Sequence, residues 1–338
     1  MREPAFWYRP PSWIARLLSP FGAIYGAITA QRMSRAGAAA GIPVICIGNY
    51  HVGGAGKTPA TLALAKILRA MGERPFVVSR GYGGSLEGPV NVDPSQHSAA
   101  DVGDEPLMMS SCASVIVSRD RVAGAALARA GGASVILLDD GFQNPALAKD
   151  ASLIVIDAAR GVGNGYVFPA GPLRAPLPPQ LARTDVLIVV GEGQAAIAVE
   201  RLVAARGALV LRAVLTPDER SVAALRGKRV LAFAGIGDPQ RFVRTLRASG
   251  IDVIGEKAFA DHHSFSADEL EQLVREAAAK SLTLVTTEKD MVRIRSDARL
   301  AGYAEKIVTF AVTLDVADEA ALRGFIAERL AKVRTRSS

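Results

Sequence analysis

The sequence predicts an α/β protein with a mostly parallel sheet covered by helices, a second and smaller α/β domain, and an amphipathic helix at the N-terminus. Three observations predict this fold class. Short apolar runs alternate with helical patterns from residue 42 onward, and a glycine-dense turn joins the first run to an alanine-rich helix. Large apolar residues recur at helical spacing before residue 30. A turn of this kind is typical of phosphate-loop NTPases.

The composition is that of a soluble enzyme that favours anionic surfaces. The chain has 338 residues, of which 49% are hydrophobic, so it can bury a large core and is expected to form two domains. Its net charge of +7 favours acidic partners. Because only 6% of residues are aromatic and no nucleic-acid-binding module is recognisable, we expect an anionic membrane or a phosphorylated substrate, and no nucleic acid. Cys46 falls in an apolar strand and is expected to be a buried, reduced thiol in a cytosolic protein.

The first 41 residues are expected to associate with a membrane. One helical face after Trp13 carries the large apolar residues, which are Ile14, Leu17, Leu18, Phe21, Ile24, Tyr25 and Ile28. This segment has one acid, Glu3, and five arginines: Arg2, Arg9, Arg16, Arg32 and Arg35. Arginines favour anionic headgroups, and Trp7 and Trp13 suit the headgroup level.

Arg16 and Pro20 interrupt the apolar stretch of this segment. We therefore expect a helix that lies in the membrane interface rather than one that spans the bilayer. A helix packed on the protein's own core is one alternative. A cleaved signal peptide is another, which the nucleotide site that follows at once disfavours.

Beyond residue 41 the sequence divides into a core over residues 42–216, a smaller α/β region over 217–305, and a final strand and helix over 306–338. Core strands are expected at Val44–Ile47, Pro75–Ser79, Ser114–Val117, Ser134–Leu138, Leu153–Ile156 and Val186–Val190, with helices at Pro59–Ala70 and Arg121–Ala130. The smaller region is expected to contain strands at Arg229–Ala234 and Leu282–Thr287 and helices at Gln240–Ala248 and Ala267–Lys280. The tail is expected to add a strand at Lys306–Val312, whose sheet the sequence leaves open, and a helix at Glu319–Val333.

The glycine-dense turn predicts a nucleotide site. Its glycines would let backbone N–H groups approach phosphates, and the N-terminus of the following helix would add its positive end. Lys57 is expected to reach the β- and γ-phosphates, and the Thr58 hydroxyl to ligate Mg²⁺. The predicted nucleotide-binding residues are Val52, Gly53, Gly54, Ala55, Gly56, Lys57, Thr58 and Pro59. The usual pattern has glycine where this chain has His51, and a simple tight turn is the alternative, but that alternative does not explain Lys57 and Thr58.

Two adjacent acids, Asp139 and Asp140, follow an apolar strand about 80 residues after this turn. An acid at this place in a phosphate-loop protein holds Mg²⁺ directly or through water. Neighbouring side chains on a strand point in different directions, so one of the two is expected to face the metal, and the sequence leaves open which. The alternative is a solvated turn.

Arg80 follows another predicted strand and precedes a run of glycines. Because ligands of parallel α/β sheets bind outside the carboxyl ends of the strands, Arg80 is a candidate clamp for a phosphate of the nucleotide or of the substrate. Gln143, which follows the acid pair, is the second candidate clamp. A surface arginine in a glycine-rich turn is the alternative for Arg80.

Asp104 and His262 are weaker candidates when the pattern is considered alone. Asp104 and Glu105 precede a proline and a helical run, which is common at a helix start. His262 and His263 lie together in the smaller region, without further ligands at the spacing of a metal site. One functional histidine on a loop is the more plausible interpretation.

Taken together, these motifs resemble one known family. They stand at Gly48–Pro59, Ser79–Gly83, Gly103–Pro106, Asp139–Gln143, Asn164–Arg174, Asp261–Phe265 and Thr286–Asp290. Their order resembles that of the tetraacyldisaccharide 4′-kinases, the lipid A 4′-kinases of Gram-negative bacteria. The resemblance covers nearly the whole chain, and several of the motifs are not general to phosphate-loop proteins.

The resemblance implies transfer of the γ-phosphate of ATP, with Mg²⁺, to the 4′-hydroxyl of a tetraacylated disaccharide 1-phosphate in lipid A biosynthesis. It implies a peripheral or monotopic enzyme at the cytoplasmic face of the bacterial inner membrane. It also implies that Asp104 is the catalytic base, supported by His262, and that Lys57 neutralises the γ-phosphate. Because His262 lies in the smaller region, closure of the two domains over the substrate is expected to complete the site.

The sequence departs from the family pattern at two positions. Asn144 stands where the family usually has histidine, and Ala175 where it usually has glutamate. If that glutamate helps to bind the metal in relatives, this chain must hold Mg²⁺ with Thr58, one of the two aspartates and water.

Proteins of other classes fit the sequence less well. A GTPase should carry a Lys-x-Asp signature, whereas Lys289 and Asp290 are adjacent. A metal-delivery or partitioning ATPase could use the same loop but would not need the N-terminal segment, Asp104 or His262. A non-enzymatic adaptor would not need an intact Lys57 and Thr58.

Overall fold

The computed structural model describes residues 3–54 and 56–337. Arg2 and Ala55, both named above, lie outside these residues. The helices of the described residues are α1 (Trp13–Met33), α2 (Lys57–Ala70), α3 (Ala99–Val102), α4 (Asp104–Ser110), α5 (Arg121–Ala130), α6 (Leu177–Leu181), α7 (Ile197–Ala204), α8 (Glu219–Leu225), α9 (Pro239–Ala248), α10 (Ala267–Ala279), α11 (Glu288–Ser296) and α12 (Glu319–Ser337). Short 3₁₀ helices cover Ala5–Tyr8 and Ala301–Lys306.

The strands form two sheets. Their bounds are β1 (Val44–Gly48), β2 (Pro75–Ser79), β3 (Val90–Asn91), β4 (Ser114–Val117), β5 (Val135–Asp139), β6 (Ala151–Asp157), β7 (Val186–Val190), β8 (Leu209–Pro217), β9 (Arg229–Ala234), β10 (Asp252–Ala258), β11 (Thr283–Thr287), β12 (Ile307–Phe310) and β13 (Val312–Val316). The large sheet has the order β13-β8-β7-β6-β1-β5-β2-β4-β3, and the small sheet has the order β10-β9-β11-β12.

The large sheet is parallel from β8 to β4, and only its edge strands β13 and β3 pair antiparallel. Strands β1, β5, β6 and β7 are buried along their whole length because helices cover both faces, which explains their unbroken apolar runs. The predicted fold class is confirmed. Strand β1 lies between β5 and β6, and β2 lies beside β5, so the segments that follow β1, β2 and β5 emerge together at one edge.

The small sheet is parallel throughout and carries its own apolar clusters on its two faces. We call residues 219–310 the small-sheet region, and the part of the chain built on the large sheet the large-sheet region. Phe233 of β9 packs against Phe265, and Val285 of β11 packs with the residues of α9. Each sheet therefore has a core of its own.

The end of the chain differs from the prediction in one respect. Instead of one strand at Lys306–Val312, strand β12 completes the small sheet and strand β13 pairs antiparallel with β8 of the large sheet. Ala311 is the single residue between them. Helix α12 then packs Leu322, Ile326 and Leu330 into the core of the large sheet. The apolar run reads as one strand in the sequence because both halves are extended and half-buried.

Helix α1 is attached to the large-sheet region by its small residues. Gly22 and Gly26 are buried against the segment of residues 167–176, where a Cβ on Gly22 would lie 2.7 Å from the Val167 carbonyl oxygen. The opposite face exposes its large apolar side chains, with exposed fractions of 73% for Trp13, 65% for Leu17, 63% for Phe21, 64% for Ile24 and 54% for Ile28. The helix therefore does not pack this face on the protein's own core.

Two further findings concern the N-terminal segment. Among residues 3–54 and 56–337, no helix is both long enough and apolar enough to cross a bilayer. The expectation that Trp7 lies at headgroup level is wrong. Trp7 is 4% exposed, its indole N–H donates to the Pro169 carbonyl oxygen at 3.1 Å, and its ring meets Phe168 edge to face.

Candidate active site

The glycine-dense turn connects β1 to α2, as the sequence predicts. Gly53 and Gly56 have φ values of +102° and +87°, which L side chains rarely adopt, and Gly56 directly precedes the first turn of α2. Lys57 and Thr58 are the first residues of that helix, so both lie where backbone N–H groups remain free for an anion. Thr58 is 3% exposed.

His51, which stands where glycine is usual, is fully buried beneath this turn. Burial lowers the pKa of His51 to about 4, so the imidazole is neutral. Its backbone carbonyl accepts a hydrogen bond from Nε of Arg174 at 3.0 Å, and residue 51 pairs with residue 173 through a β-bridge. His51 therefore helps to hold the phosphate loop against residues 173 and 174.

Asp139 is the last residue of β5 and Asp140 follows it, and the two have different partners. Asp139 is 2% exposed; its Oδ2 accepts a hydrogen bond from the Ser79 hydroxyl at 3.0 Å, while its Oδ1 has no partner among the described residues. Burial raises the pKa of Asp139. Asp140 has a φ of 49°, and its Oδ1 lies 2.7 Å from Nη1 of Arg174 and 3.5 Å from Nζ of Lys57. Burial would raise the pKa of Asp140, but the charges of Lys57 and Arg174 hold it far below the usual range.

The two candidate clamps differ. Arg80 is exposed and makes no hydrogen bond or ion pair with the residues that the structure describes, so its guanidinium is available to a ligand. The Gln143 amide instead donates to the Asn49 carbonyl oxygen at 2.8 Å and to Oε1 of Gln180 at 2.9 Å. These two hydrogen bonds connect Gln143 to neighbouring segments, which gives it a structural role.

The glycines after Arg80 position the next part of the site. A Cβ on Gly84 would collide with the backbone of residues 101–103, and a Cβ on Gly103 would lie 2.6 Å from the Tyr82 carbonyl oxygen. This close packing fixes the start of α4, and Asp104 is its first residue. The Ser-Arg-Gly-Tyr-Gly motif therefore supports the Asp104 carboxylate as well as presenting Arg80.

Asp104 and His262 are 158 residues apart in the chain and hydrogen-bonded in the structure, with His262 Nδ1 3.0 Å from Asp104 Oδ2. His262 lies on the segment between β10 and α10 with a φ of 55°, and its ring is 5.5 Å from that of Tyr82. The hydrogen bond to Asp104 raises the pKa of His262. Burial would raise the pKa of Asp104, but His262, Arg293 and Lys289 outweigh it and hold that pKa far below the usual range.

The Asp104 pair and the phosphate loop are electrostatic neighbours. After burial, the largest contribution to the raised pKa of Asp139 is the negative charge of Glu105, which is next to Asp104 in the chain. Burial would raise the pKa of Glu105, but the charge of Lys289 and, after it, that of Lys57 lower it. Helix α4, which starts at Asp104, also contacts α2 of the phosphate loop, so the two clusters are close in space.

The ion pairs of one arginine connect three parts of the molecule. Arg160, which follows β6, lies 2.9 Å from the Glu3 carboxylate and 3.0 Å from the Asp238 carboxylate at the start of α9. The Glu3 carboxylate also lies directly against Gly53, where a Cβ would collide with it. The N-terminal segment, the phosphate loop and the small-sheet region are therefore connected through one arginine.

Comparison with known proteins agrees with this geometry. The family model described as tetraacyldisaccharide-1-P 4′-kinase matches residues 14–331. This chain belongs to that family. It is 65% identical to the tetraacyldisaccharide 4′-kinase of Nitrobacter hamburgensis over 334 residues, covering 99% of this chain and 100% of the relative. It is 64% identical to that of Rhodopseudomonas palustris over 336 residues, covering 99% of each.

Among solved structures, the chain is similar to a crystal structure of LpxK from Aquifex aeolicus in complex with ATP. The TM-score is 0.72 at 26% sequence identity, and the match covers 94% of this chain and 99% of that one. The family assignment confirms the resemblance that the motifs indicate.

The two departures from the family pattern have structural roles here. Asn144 Oδ1 accepts from the backbone N–H of Ala146 at 2.8 Å, which closes the turn after β5. Ala175 is fully buried, and its carbonyl oxygen accepts from the Gln180 amide at 2.8 Å. A longer acidic side chain at position 175 would have to displace these neighbours.

The residues that fit a magnesium ion are Thr58 and Asp139. Within the described residues, no three His, Cys, Asp or Glu side chains form a cluster that could hold a metal ion without other ligands. A family member that binds ATP does not need such a cluster, because Mg²⁺ in nucleotide sites takes one or two protein ligands besides phosphates and water. The buried, unpartnered Oδ1 of Asp139 is the acceptor that such an ion or its bound water would satisfy.

Several residues of this site were not among the candidates predicted from the sequence. Three cations pair with carboxylates of the site: Arg174 with Asp140, Arg293 with Asp104 and Lys289 with Glu105. Arg174 ends a motif quoted above, and Lys289 lies in another, so their positions were visible. Their partners were not visible, because each contact joins segments distant in the chain.

Proposed function

We propose that this chain transfers the γ-phosphate of ATP to the 4′-hydroxyl of tetraacyldisaccharide 1-phosphate, a step of lipid A biosynthesis, with Asp104 as the general base. The observation that carries this proposal is the ionised, hydrogen-bonded Asp104 at the start of α4, a helix that contacts α2 of the phosphate loop. A base opposite a phosphate-binding loop is what a kinase needs for a sugar hydroxyl, which is a poor nucleophile.

The phosphate side of the reaction rests on α2 and the cations around it. The free N–H groups at the start of α2 bind the phosphates, and Lys57 leaves Asp140 to neutralise the β- and γ-phosphates. Arg174 stays on Asp140 and keeps that carboxylate paired when Lys57 moves. Arg80 has no competing partner among the described residues and clamps a phosphate of the nucleotide or of the lipid.

On the acceptor side, the 4′-oxygen forms a bond to the γ-phosphorus as the bond between that phosphorus and the β–γ bridging oxygen breaks. The hydroxyl proton passes to the Asp104 carboxylate, and ADP leaves with the bridging oxygen. His262 keeps Asp104 oriented through their hydrogen bond. His262 is already bonded to Asp104 in this structure, so closure of the small-sheet region over the substrate is not needed to bring it into place and would serve to exclude water.

Thr58 and one of the two acids, Asp139, are the residues that hold Mg²⁺. When bound, the ion neutralises the charge that develops on the transferred phosphate. Asp140 is instead the partner of Lys57 and Arg174. The Oδ1 of Asp139, which has no partner among the described residues, supports Asp139 as the metal ligand.

The N-terminal segment 1–41 brings the enzyme to its lipid substrate. The exposed apolar face of α1 enters the interfacial layer, and the flanking arginines lie at the headgroups. The chain is thus a peripheral protein of the cytoplasmic face of the inner membrane. Residues 42–216 form the kinase core and residues 217–305 the smaller domain, which β12 extends to residue 310.

The test is transfer of labelled γ-phosphate from ATP to tetraacyldisaccharide 1-phosphate in detergent micelles. We expect product from the wild type, and losses of about 10²-fold or more for Asp104→Asn and Lys57→Met. Full activity of Asp104→Asn would contradict the role of the base. Hydrolysis of ATP without a phosphorylated lipid would indicate another phosphate-loop ATPase or small-molecule kinase.

A further inference from the structure

Helix α11 starts within the Thr-Thr-Glu-Lys-Asp motif, Thr286–Asp290, for which the proposed chemistry has no role. The helix starts after Thr287, whose hydroxyl accepts from the Asp290 N–H at 3.2 Å. Two of its cations reach across to α4 of the large-sheet region: Lys289 pairs with Glu105, and Arg293 pairs with Asp104. Thus α11 contacts the helix that carries the proposed base.

The Arg293 side chain is held on every nitrogen. Nη1 lies 2.9 Å from Asp290 Oδ1 and donates to the carbonyl oxygens of Gly235 at 3.1 Å and His263 at 3.2 Å, while Nη2 also donates to Gly235. Nε is left to donate to Asp104 Oδ2 at 2.9 Å. The side chain is 10% exposed, so the guanidinium has one well-defined position.

The Asp104 carboxylate is correspondingly fixed in rotation. Its Oδ2 accepts from both His262 Nδ1 and Arg293 Nε, and its Oδ1 accepts from the Glu105 N–H at 2.8 Å. Removal of one of these donors leaves fewer hydrogen bonds to oppose rotation of the carboxylate about its χ2 bond. A base must keep its accepting oxygen within about 3.2 Å of the proton that it takes.

We propose that Arg293 is a positioning residue for the reaction: by holding Oδ2 from the small-sheet region, it orients the Asp104 carboxylate for the acceptor hydroxyl. This inference rests on the proposed function of Asp104. Arg293 does not touch the reacting atoms and acts only through Asp104. The start of α11 thereby contributes to catalysis through its partner helix.

The charged groups around Asp104 come from both regions. Those facing it are His262, Arg293, Lys289, Asp290 and Glu105. Arg293 is the one cation among them that is also bonded to backbone carbonyls, so it combines charge with a fixed direction. A lysine in its place would keep the charge and lose the planar fork.

The experiment measures kcat and KM for Arg293→Gln, Arg293→Lys and the control Arg295→Gln, with labelled ATP and the tetraacyldisaccharide acceptor. Arg295 lies on the same helix and is exposed. We expect kcat to fall about 10- to 100-fold in Arg293→Gln, with KM for ATP within about twofold of wild type, because the phosphate loop is untouched. Arg293→Lys should recover part of the loss, and Arg295→Gln should match wild type.

A double-mutant cycle with Asp104→Asn distinguishes positioning from a general structural role. If Arg293 acts through Asp104, adding Arg293→Gln to Asp104→Asn should lower kcat by less than about threefold. The proposal would be overturned if the kcat losses of the two single variants multiply in the double variant, or if Arg293→Gln leaves kcat unchanged. If Arg293→Gln does not fold, the same cycle is measured with Arg293→Lys. Failure of the proposed function looks different: wild type then makes no phosphorylated lipid, or Asp104→Asn is as active as wild type.

Discussion

The Asp140 carboxylate lies between the Lys57 amine, at 3.5 Å, and the Arg174 guanidinium, at 2.7 Å. Asp140 reaches both because its backbone turns into the left-handed region at φ 49°. The neighbouring Asp139 points into a buried environment and keeps one oxygen without a partner among the described residues. The acid pair therefore separates into a partner for cations and a candidate metal ligand.

Lys57→Met should abolish most of the phosphate transfer. We expect kcat/KM to fall by about 10²- to 10³-fold, since the lysine is the cation that reaches the transferring phosphate. Steady-state kinetics with labelled ATP measures this loss. Lys66→Met, on the exposed side of the same helix, is the matched control and should behave as wild type. Comparable losses in both variants would count against a specific role for Lys57.

Asp139→Asn should increase the Mg²⁺ concentration needed for half-maximal activity by about 10-fold or more. The change removes the free carboxylate oxygen, while the amide can still accept from the Ser79 hydroxyl. A titration of activity against Mg²⁺ at fixed ATP measures the shift. Asp140→Asn is the comparison, which should weaken the hold on Lys57 and leave the Mg²⁺ requirement near that of wild type. A shift only in the Asp140 variant would reverse the assignment.

The Asp104–His262 pair should make stability depend on pH. The pKa of His262 is raised, so its stabilisation is complete below about pH 6.5, the ordinary histidine value, and is lost as pH rises through the raised pKa. The pKa of Asp104 is lowered, so its share is present above about pH 4 and is lost at more acid pH. Thermal unfolding should therefore separate wild type from His262→Asn more at pH 6 than at pH 9.

Asp104→Asn provides the control for this pH dependence. In that variant the protonated His262 loses the carboxylate at 3.0 Å and keeps Asp261 at 3.9 Å, so the gap between Asp104→Asn and its His262→Asn double variant should change less between pH 6 and pH 9 than in the otherwise wild-type protein. A gap of the same size at both pH values in the otherwise wild-type protein would refute the expected linkage.

Phe21→Ala combined with Ile24→Ala should weaken binding to vesicles of anionic phospholipid. Each side chain is more than half exposed on α1, so it contributes roughly 1 kcal/mol or more when it enters the interfacial layer. We expect about 10-fold weaker binding or more for the pair, measured by cosedimentation. Gln31→Ala on the same helix should bind as wild type. Equal binding of all three proteins would exclude this face as the contact.

The parts of the fold and site that the sequence predicted are those with local signals. The phosphate loop, Lys57 and Thr58 follow from glycines between a strand and a helix, and Asp139 follows from an apolar strand that ends in an acid. Strands β8 and β10, which are only partly buried, were missed, whereas β1, β2, β4, β5, β6 and β7 were predicted near their observed bounds because both of their faces are buried. The fate of the final strand was not, since the change of sheet at Ala311 depends on tertiary pairing.

Long-range contacts account for what the sequence could not predict. The pattern alone gave Asp104 the interpretation of a helix start, and only the resemblance to a family raised it to a base, because His262 and Arg293 meet it from 158 and 189 residues away. Trp7 was assigned to the membrane surface on residue type. Its burial depends on the Pro169 carbonyl and Phe168, which no local pattern reveals.

The contact of Glu3 with Arg160 and Gly53 bears on how the protein can be shortened or tagged. Deletion of the residues before α1 is a natural choice for making a more tractable sample. It would remove Glu3 from Arg160 and leave the ion pair of Arg160 with Asp238. The same deletion would strip the carboxylate from the phosphate loop. A truncated enzyme with altered kinetics would thus report on its nucleotide site as well as on its attachment to lipid, and an affinity tag is better placed at the C-terminus.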